Sequence, residues 1–428
     1  MNIENLHRLF LECSSVSTDT RRIEKDCMFF ALKGANFDAN EFAKQALQNG
    51  AKYVVIDNAN FYIDENSILV EDVLSTLQEL STFHRDFLAL PILALTGSNG
   101  KTTTKELINV VLSRKFKTKA TKGNLNNHIG VPLTLLSFDK ETEIGIVEMG
   151  ANHQKEIEFL CAIAKPDFGY ITNFGKAHLE GFGGVEGVIK GKSEMYDYLY
   201  KFHKTAFVNF DDKLQVEKTK NIKRFTFSQT IGDADVFIQS VTANPFVEIK
   251  ISDIQINSNL IGIYNANNIN AAITIGKYFG VDDFQIKEAI ESYTPENNRS
   301  QIIKKGNNEI ILDAYNANPS SMAVAIENFL NLKSDNKVII IGDMFELGES
   351  SLEEHDKIIS MLVDFANVEC YFVGKDFFSN KKEYGHFHFF KTFEDLSKQL
   401  VNNNFSNSLI LIKGSRGMAL ERVLDFIK

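Results

Sequence analysis

The residues with the clearest capacity for chemistry lie in Thr96-Gly97-Ser98-Asn99-Gly100-Lys101-Thr102-Thr103. A short apolar strand is predicted over 92–95 and a helix over 103–113. Glycines between a strand and a helix let the backbone close on a phosphate, with N–H groups and the helix N-terminus as donors. Lys101 supplies a cation for the outer phosphates and Thr102 a hydroxyl for Mg²⁺. Gly97, Ser98, Asn99, Gly100, Lys101, Thr102 and Thr103 are therefore the candidate ATP contacts. The common G-x-x-x-x-G-K-[ST] spacing asks for glycine at 95, where this chain has Leu95, so a glycine-rich turn without nucleotide is the competing reading.

A magnesium–phosphate site needs oxygen ligands from neighbouring strands. Glu148 ends the apolar run 145–147, at the carboxyl end of a predicted strand, where ligands gather in an open parallel sheet. His178 follows another predicted strand, in Thr172-Asn173-Phe174-Gly175-Lys176-Ala177-His178-Leu179-Glu180. Taken alone, Glu148 also reads as a helix cap, and a lone histidine such as His178 reads first as a loop residue. Further polar runs are Thr121-Lys122-Gly123-Asn124-Leu125-Asn126-Asn127-His128-Ile129-Gly130, rich in amides that suit a sugar or peptide, and Asp313-Ala314-Tyr315-Asn316-Ala317-Asn318-Pro319. Gly342-Asp343-Met344 and Lys413-Gly414-Ser415-Arg416-Gly417 also follow predicted strands. The last three loops suggest a binding face opposite the ATP site; singly, each could be a cap or turn.

These runs need elements to hold them, and the chain changes rhythm twice. Residues 1–90 mix short strands (28–32, 53–56, 67–70) with helices (40–48, 73–86). From Pro91 to about residue 300, buried strands at 92–95, 144–147 and 168–171 alternate with helical stretches, as in a parallel sheet. Within that stretch, the runs 205–209, 236–241 and 247–251 read as an antiparallel appendage, with a helix over 266–278. From 301 to 428 the alternation resumes, with strands at 309–312, 337–341, 369–373 and 409–412 and helices at 321–330, 352–365, 393–401 and 418–426. The fold class is α/β in three domains: 1–90, 91–300 and 301–428.

Composition sets the limits. Of the 428 residues, 44% are hydrophobic and 24% charged, enough apolar material for several cores. A net charge of -10 argues against general nucleic-acid binding, which needs a basic face. Cys13, Cys27, Cys161 and Cys370 form no C-x-x-C pair and read as reduced structural thiols. Neither a signal peptide nor an apolar run of the ~20 residues that span a bilayer is visible. A cytoplasmic monomer acting on small molecules, without membrane insertion, is expected.

Together these runs resemble the Mur ligase family, whose members form amide bonds in bacterial cell-wall synthesis. The resemblance extends from Ser17 to Met418. The family's loop is T-G-x-x-G-K-[ST], so Leu95 fits it. T-x-G-N-x-N-N-x-I-G-x-P-L-T is matched at 121–134, E-M-G at 148–150 and A-H-L-E at 177–180. The most discriminating motif is D-x-Y-N-A-N-P-x-S-M at 313–322, supported by G-D-M-x-E-L-G at 342–348 and K-G-S-R-G-M at 413–418. Sister ligases resemble D-x-A-H-x-P at that place, and the D-N-P-R signature of another is absent. Two positions depart from the family: Tyr264 replaces histidine in G-x-H-N-x-x-N, and Asn298 replaces glycine before Arg299.

The resemblance implies an N-terminal α/β UDP-binding domain, a central P-loop ATPase domain with a mostly parallel sheet, and a C-terminal Rossmann-like domain. It implies that D-alanyl-D-alanine is joined to a UDP-linked tripeptide at the expense of ATP, with Mg²⁺. Lys101, Lys192 and His178 would be catalytic. Thr102 and Glu148 would hold one magnesium ion, and His178 with an N-carboxylated Lys192 a second. Asn268, Arg299 and Asp313 would contact nucleotide. Ser17, Thr20 and Arg21, Thr121, Asn124, Asn126 and Asn127, and Tyr315, Asn316 and Asn318 would contact the substrates; a buried structural salt bridge from Arg21 to Asp19 or another acid competes. The rivals are a sister or folylpolyglutamate-type ligase, disfavoured by Tyr315-Asn316-Ala317-Asn318, and a non-catalytic nucleotide-binding protein, disfavoured by the complete magnesium set.

Overall fold

The computed structural model describes residues 2–296, 298–403 and 405–427. Its central feature is a seven-stranded sheet in which the strand Ile92–Thr96 lies between Ile144–Glu148 and Phe168–Ile171. All of its pairings are parallel. Every residue of Ile92–Thr96 and of Ile144–Glu148 is buried, because helices cover both faces of the sheet. Parallel register brings Leu95 beside Glu148 and Thr96 beside Ile171, so three neighbouring strands release their loops at one edge.

The N-terminal unit carries a four-stranded parallel sheet, Val16–Ser17, Met28–Phe30, Tyr53–Ile56 and Ser67–Leu69 in that order. The C-terminal unit has six strands, parallel except for Gln301–Lys305, which pairs antiparallel with Asn308–Asp313. Register there sets Asp313 opposite Lys413. The α/β class and the mixed and parallel sheets agree with the reading of the sequence. Among the described residues, no helix is long and apolar enough to cross a membrane.

Two elements differ from expectation. The antiparallel appendage is smaller than the run 205–251 suggests: Thr205–Asn209 and Val236–Phe237 belong to the parallel sheet, and the antiparallel piece is Ser240–Ala243, Phe246–Ile251 and Ile254–Ile261. Burial explains the division. Thr205–Asn209 is buried at every position, as a doubly covered strand must be, whereas Phe246–Ile251 alternates exposed and buried. The short helix Lys213–Lys218 provides the crossover that the sequence reading lacked. The helix expected over 418–426 is instead two 3₁₀ segments, Arg416–Met418 and Leu420–Phe426, separated by Ala419 in a left-handed conformation (φ 48°).

The helices Ile3–Phe10 and Val73–Leu88 meet through a buried imidazole pair. His84 Nε2 lies 2.9 Å from the Phe138 carbonyl and must donate to it. His84 Nδ1 is then the acceptor for His7 Nε2–H at 3.0 Å, an arrangement that requires a neutral His84 ring. Burial, followed by the neighbouring His84, lowers the His7 pKa to about 4, and burial lowers that of His84 as well. A lowered folded-state pKa means that the unfolded chain binds the proton more readily. Stability is then complete above an unfolded value of about 6.5 and declines as pH falls toward 4. From His7 alone, denaturant titration at pH 5 should show about 2 kcal/mol less stability than at pH 7.5. His7→Gln should flatten that slope, and an unchanged slope in the variant would rule the pair out as its source.

Candidate active site

The phosphate loop is held from behind by the segment that follows the strand Phe168–Ile171. The Thr172 hydroxyl and the Asn173 amide donate to the Asn99 carbonyl at 2.6 and 3.0 Å, and Asn173 Oδ1 accepts the Asn99 N–H at 3.1 Å. The Ser98 hydroxyl donates to the Gly175 carbonyl at 2.7 Å. This approach is possible only without side chains at two points. A Cβ on Gly97 (φ 146°) would sit 1.9 Å from Thr172 Oγ1, and one on Gly100 (φ 78°) 2.5 Å from Asn268 Oδ1. Gly100 is the N-cap of the helix Lys101–Leu112, whose first N–H groups face the cleft. Lys101 Nζ donates to the Gly97 and Ser98 carbonyls at 2.7 and 3.3 Å. Burial lowers its pKa, against the pull of Glu148.

Glu148 ends its strand 1% exposed. Its Oε1 accepts from the Asn126 amide at 2.8 Å, and its Oε2 is buried without a hydrogen-bond partner. Thr102, 7% exposed, lines the same cleft. His178 is in a left-handed conformation (φ 54°) at the start of the helix Leu179–Phe182, and its Nδ1 meets Glu346 of the C-terminal unit. Lys192 sits in the helix Val185–Lys201 with 0% exposure. Its amine has no hydrogen-bond partner and lies 5.2 Å from the centre of the Phe182 ring. Burial, with the positive charge of Lys101 next, holds its pKa well below the usual lysine range.

The C-terminal unit closes the other side of this cleft, which has a volume of about 920 Å³. Asn318 caps the helix Pro319–Asn331 through Oδ1 and donates from Nδ2 to Asn99 Oδ1 at 2.7 Å, joining the loop 313–318 to the phosphate loop directly. Lys176 adds a backbone bond to Ser320 Oγ and an ion pair to Glu354, each at 2.8 Å. Asp313 pairs with the buried Lys413, which also donates to the Asn316 carbonyl. Arg299 stacks on Tyr315 with its guanidinium 3.6 Å from the ring centre. Asn298 and Ser300 on either side are left-handed (φ 57° and 48°), a conformation asparagine tolerates better than most residues. The Tyr264 hydroxyl lies 2.9 Å from Ser300 Oγ, two residues beyond Asn298.

Most sequence-derived candidates converge here. Ser98, Asn99, Gly100, Lys101, Thr102, Thr103, Asn124, Asn126, Asn127, Glu148, His178, Asn268, Arg299, Asp313, Tyr315, Asn316 and Asn318 all line the cleft. Others stand behind it. Gly97 presents its carbonyl to Lys101, Lys192 is fully buried, and Thr121 is 2% exposed, with its hydroxyl accepting the Glu148 N–H at 2.9 Å. Asn127 caps its own turn through bonds from the Ile129 and Gly130 N–H groups. Asn268 is held by Thr104 and Asn265. Ser17, Thr20 and Arg21 lie in the N-terminal unit, outside the lining of this cleft. The Arg21–Asp19 pair does form, but with the Arg21 side chain 87% exposed rather than buried. Sequence reasoning missed the clamp made by Thr172 and Asn173; their signal was a polar pair directly after a buried strand. It also missed Lys413 as the partner of Asp313.

Three family models match: the Mur ligase family catalytic domain over 12–85, the Mur ligase middle domain over 95–276, and the Mur ligase glutamate ligase domain over 298–416. The UDP-N-acetylmuramoyl-tripeptide–D-alanyl-D-alanine ligase of Bacillus subtilis is 33% identical, covering 96% of this chain and 92% of that protein. The Escherichia coli enzyme of the same name is 31% identical over 96% and 92%. Among solved structures, MurF from Acinetobacter baumannii superposes with a TM-score of 0.87 at 31% identity, covering 99% of this chain and 98% of that one. MurF from Thermotoga maritima in complex with ADP gives 0.84 at 28% identity, covering 97% of each. With the phosphate loop, the buried lysine and the C-terminal asparagine loop gathered in one cleft, and these likenesses along almost its whole length, the chain belongs to the Mur ligase family.

Proposed function

We propose that the protein joins D-alanyl-D-alanine to UDP-N-acetylmuramoyl-tripeptide, with conversion of ATP to ADP and phosphate, in the cytoplasm and as a monomer. The observation that carries this reading is the 2.7 Å hydrogen bond between Asn318 and Asn99. It sets the loop 313–318, the motif that separates this chain from its sister ligases, against the loop that would hold the γ-phosphate.

The reaction must bring an anionic carboxylate to an anionic phosphate. The terminal carboxylate of the tripeptide attacks the γ-phosphorus and ADP leaves, giving an acyl phosphate. The amine of D-alanyl-D-alanine then attacks the acyl carbon, phosphate departs, and the amine loses a proton. Lys101 steadies the phosphoryl oxygens as charge moves between them, and the N–H groups of 100–103 cradle them without reorganising. Arg299, Asn268 and Asp313 border the nucleotide. Asn124 and Asn127 face the tripeptide, and Tyr315, Asn316 and Asn318 the dipeptide. Ser17, Thr20 and Arg21 present donors for the UDP group from the N-terminal unit. Closing the C-terminal unit over the cleft keeps water from the acyl phosphate.

The donor set fits magnesium. Glu148 has a buried oxygen without a partner, Thr102 offers a buried hydroxyl, and His178 lines the same cleft. Among the described residues, no three His, Cys, Asp or Glu side chains form a metal cluster, so phosphate oxygens would complete the shell. When bound, magnesium neutralises charge on the transferring phosphoryl group.

The buried amine of Lys192, without a hydrogen-bond partner and with its pKa held below the usual lysine range, is suited to combine with CO₂ in its unprotonated form: an N–C bond forms, one amine proton leaves, and a carbamate anion results. That exchange turns an uncompensated buried amine into an oxygen donor next to Lys101.

Phosphate release from ATP in the presence of the UDP-tripeptide should depend on D-alanyl-D-alanine. Release supported equally by single amino acids would assign the chain to a sister reaction, and no release under any condition would leave only nucleotide binding. Lys192→Ala should lower turnover by on the order of 100-fold or more, with partial recovery on adding a short carboxylic acid. Wild-type turnover in that variant would remove Lys192 from the mechanism.

A further inference from the structure

Asn126 does something other than what its sequence context suggests. Its side-chain amide donates to Glu148 Oε1 at 2.8 Å, which turns it toward the carboxylate instead of leaving it free for a sugar or peptide. The loop is fixed in that pose. The Asn126 carbonyl accepts the Gly150 N–H at 2.8 Å, and a Cβ on Gly150 would lie 2.9 Å from Asn126 Oδ1, so the loop lies directly on the strand exit. From the other side, the Thr121 hydroxyl accepts the Glu148 N–H at 2.9 Å, and the Thr121 carbonyl is anchored by Lys105 Nζ at 2.8 Å. Glu148 is thereby held at its backbone and at one carboxylate oxygen, and its other oxygen, buried in the cleft wall, has no partner.

The choice of an amide has a chemical consequence. A lysine or arginine at this place would neutralise the carboxylate. Asn126 supplies one neutral donor, which fixes the rotation of the carboxylate and leaves its negative charge intact. A carboxylate oriented by an uncharged donor, with one oxygen unpaired, has the character of a cation ligand supported by its outer shell.

We infer that Asn126 is a positioning residue that orients Glu148 for magnesium, and is not a contact to the UDP-tripeptide. This rests on the proposed role of Glu148 as a magnesium ligand. The full-length protein should be titrated with ADP at a series of Mg²⁺ concentrations by calorimetry, and with Mn²⁺ by electron paramagnetic resonance. Asn126→Ala should raise the Mg²⁺ concentration needed for tight ADP binding by roughly 10-fold or more, weaken Mn²⁺ binding to match, and leave the KM for UDP-tripeptide unchanged at saturating Mg²⁺. Asn126→Leu, similar in shape but without the donor, should give the same shift. An unchanged metal requirement together with a raised KM for UDP-tripeptide would overturn the inference. Glu148→Gln serves as the reference: if it shifts the metal requirement while both Asn126 variants do not, the inference alone fails. If Glu148→Gln has no effect on metal binding, the assignment of Glu148 fails and the role of Asn126 falls with it.

Discussion

The hydrogen bonds from Thr172 and Asn173 to Asn99 are the interaction on which the rest of this structure depends. A phosphate loop works only if several backbone N–H groups already point the same way, and a free glycine-rich turn would have to lose its entropy at the moment of binding. Here the neighbouring parallel strand supplies the restraint. Thr96 and Ile171 are in register, so the residues just beyond them meet without any excursion of the chain. The same polar run continues into Gly175, Lys176 and His178, which touch Ser98, Ser320, Glu354 and Glu346. One loop therefore braces the nucleotide site and forms the contact surface for the C-terminal unit.

Charge in the cleft follows from that geometry. Burial disfavours the charged forms of both Lys101 and Lys192, and the charge of Lys101 adds to the effect at Lys192. Two buried cations side by side would be costly without anions. Glu148 offsets one of them, and the amine of Lys192 is left without a hydrogen-bond partner. Such a site is poorly satisfied as protein alone, with Glu148 Oε2 and the Lys192 amine both buried without hydrogen-bond partners.

Much of this was legible in the sequence because parallel sheets concentrate function at one edge. A fully buried strand announces itself as an apolar run, and the polar residues after it must lie at the carboxyl edge; Glu148, Asp313 and Lys413 all obey this rule. What was not legible depended on direction within an element. Lys190-Gly191-Lys192-Ser193-Glu194 reads as a solvated surface, yet Lys192, Ser193 and Glu194 are all buried, because the helix Val185–Lys201 is packed on more than one side. The parallel strand Thr205–Asn209 was assigned to the wrong sheet for a related reason: its neighbour arrives through a six-residue helix too short to show a helical period.

The amide-rich run 121–130 illustrates the remaining limit. Composition identifies a cluster of donors and acceptors, but it cannot say which of them face the ligand and which face the protein. Thr121 and Asn126 direct side-chain bonds to Glu148 and Asn127 Oδ1 accepts from the loop's own backbone, while Asn124 and Asn127 remain exposed. A loop that crosses the end of a parallel sheet has unpaired backbone groups of its own and borders the unpaired groups of the strand exit. Some of its side chains must satisfy them before any can serve a substrate. In a motif built of asparagines, the division of labour is therefore set by which amide reaches an unpaired group first, and here Glu148 is within reach of Asn126.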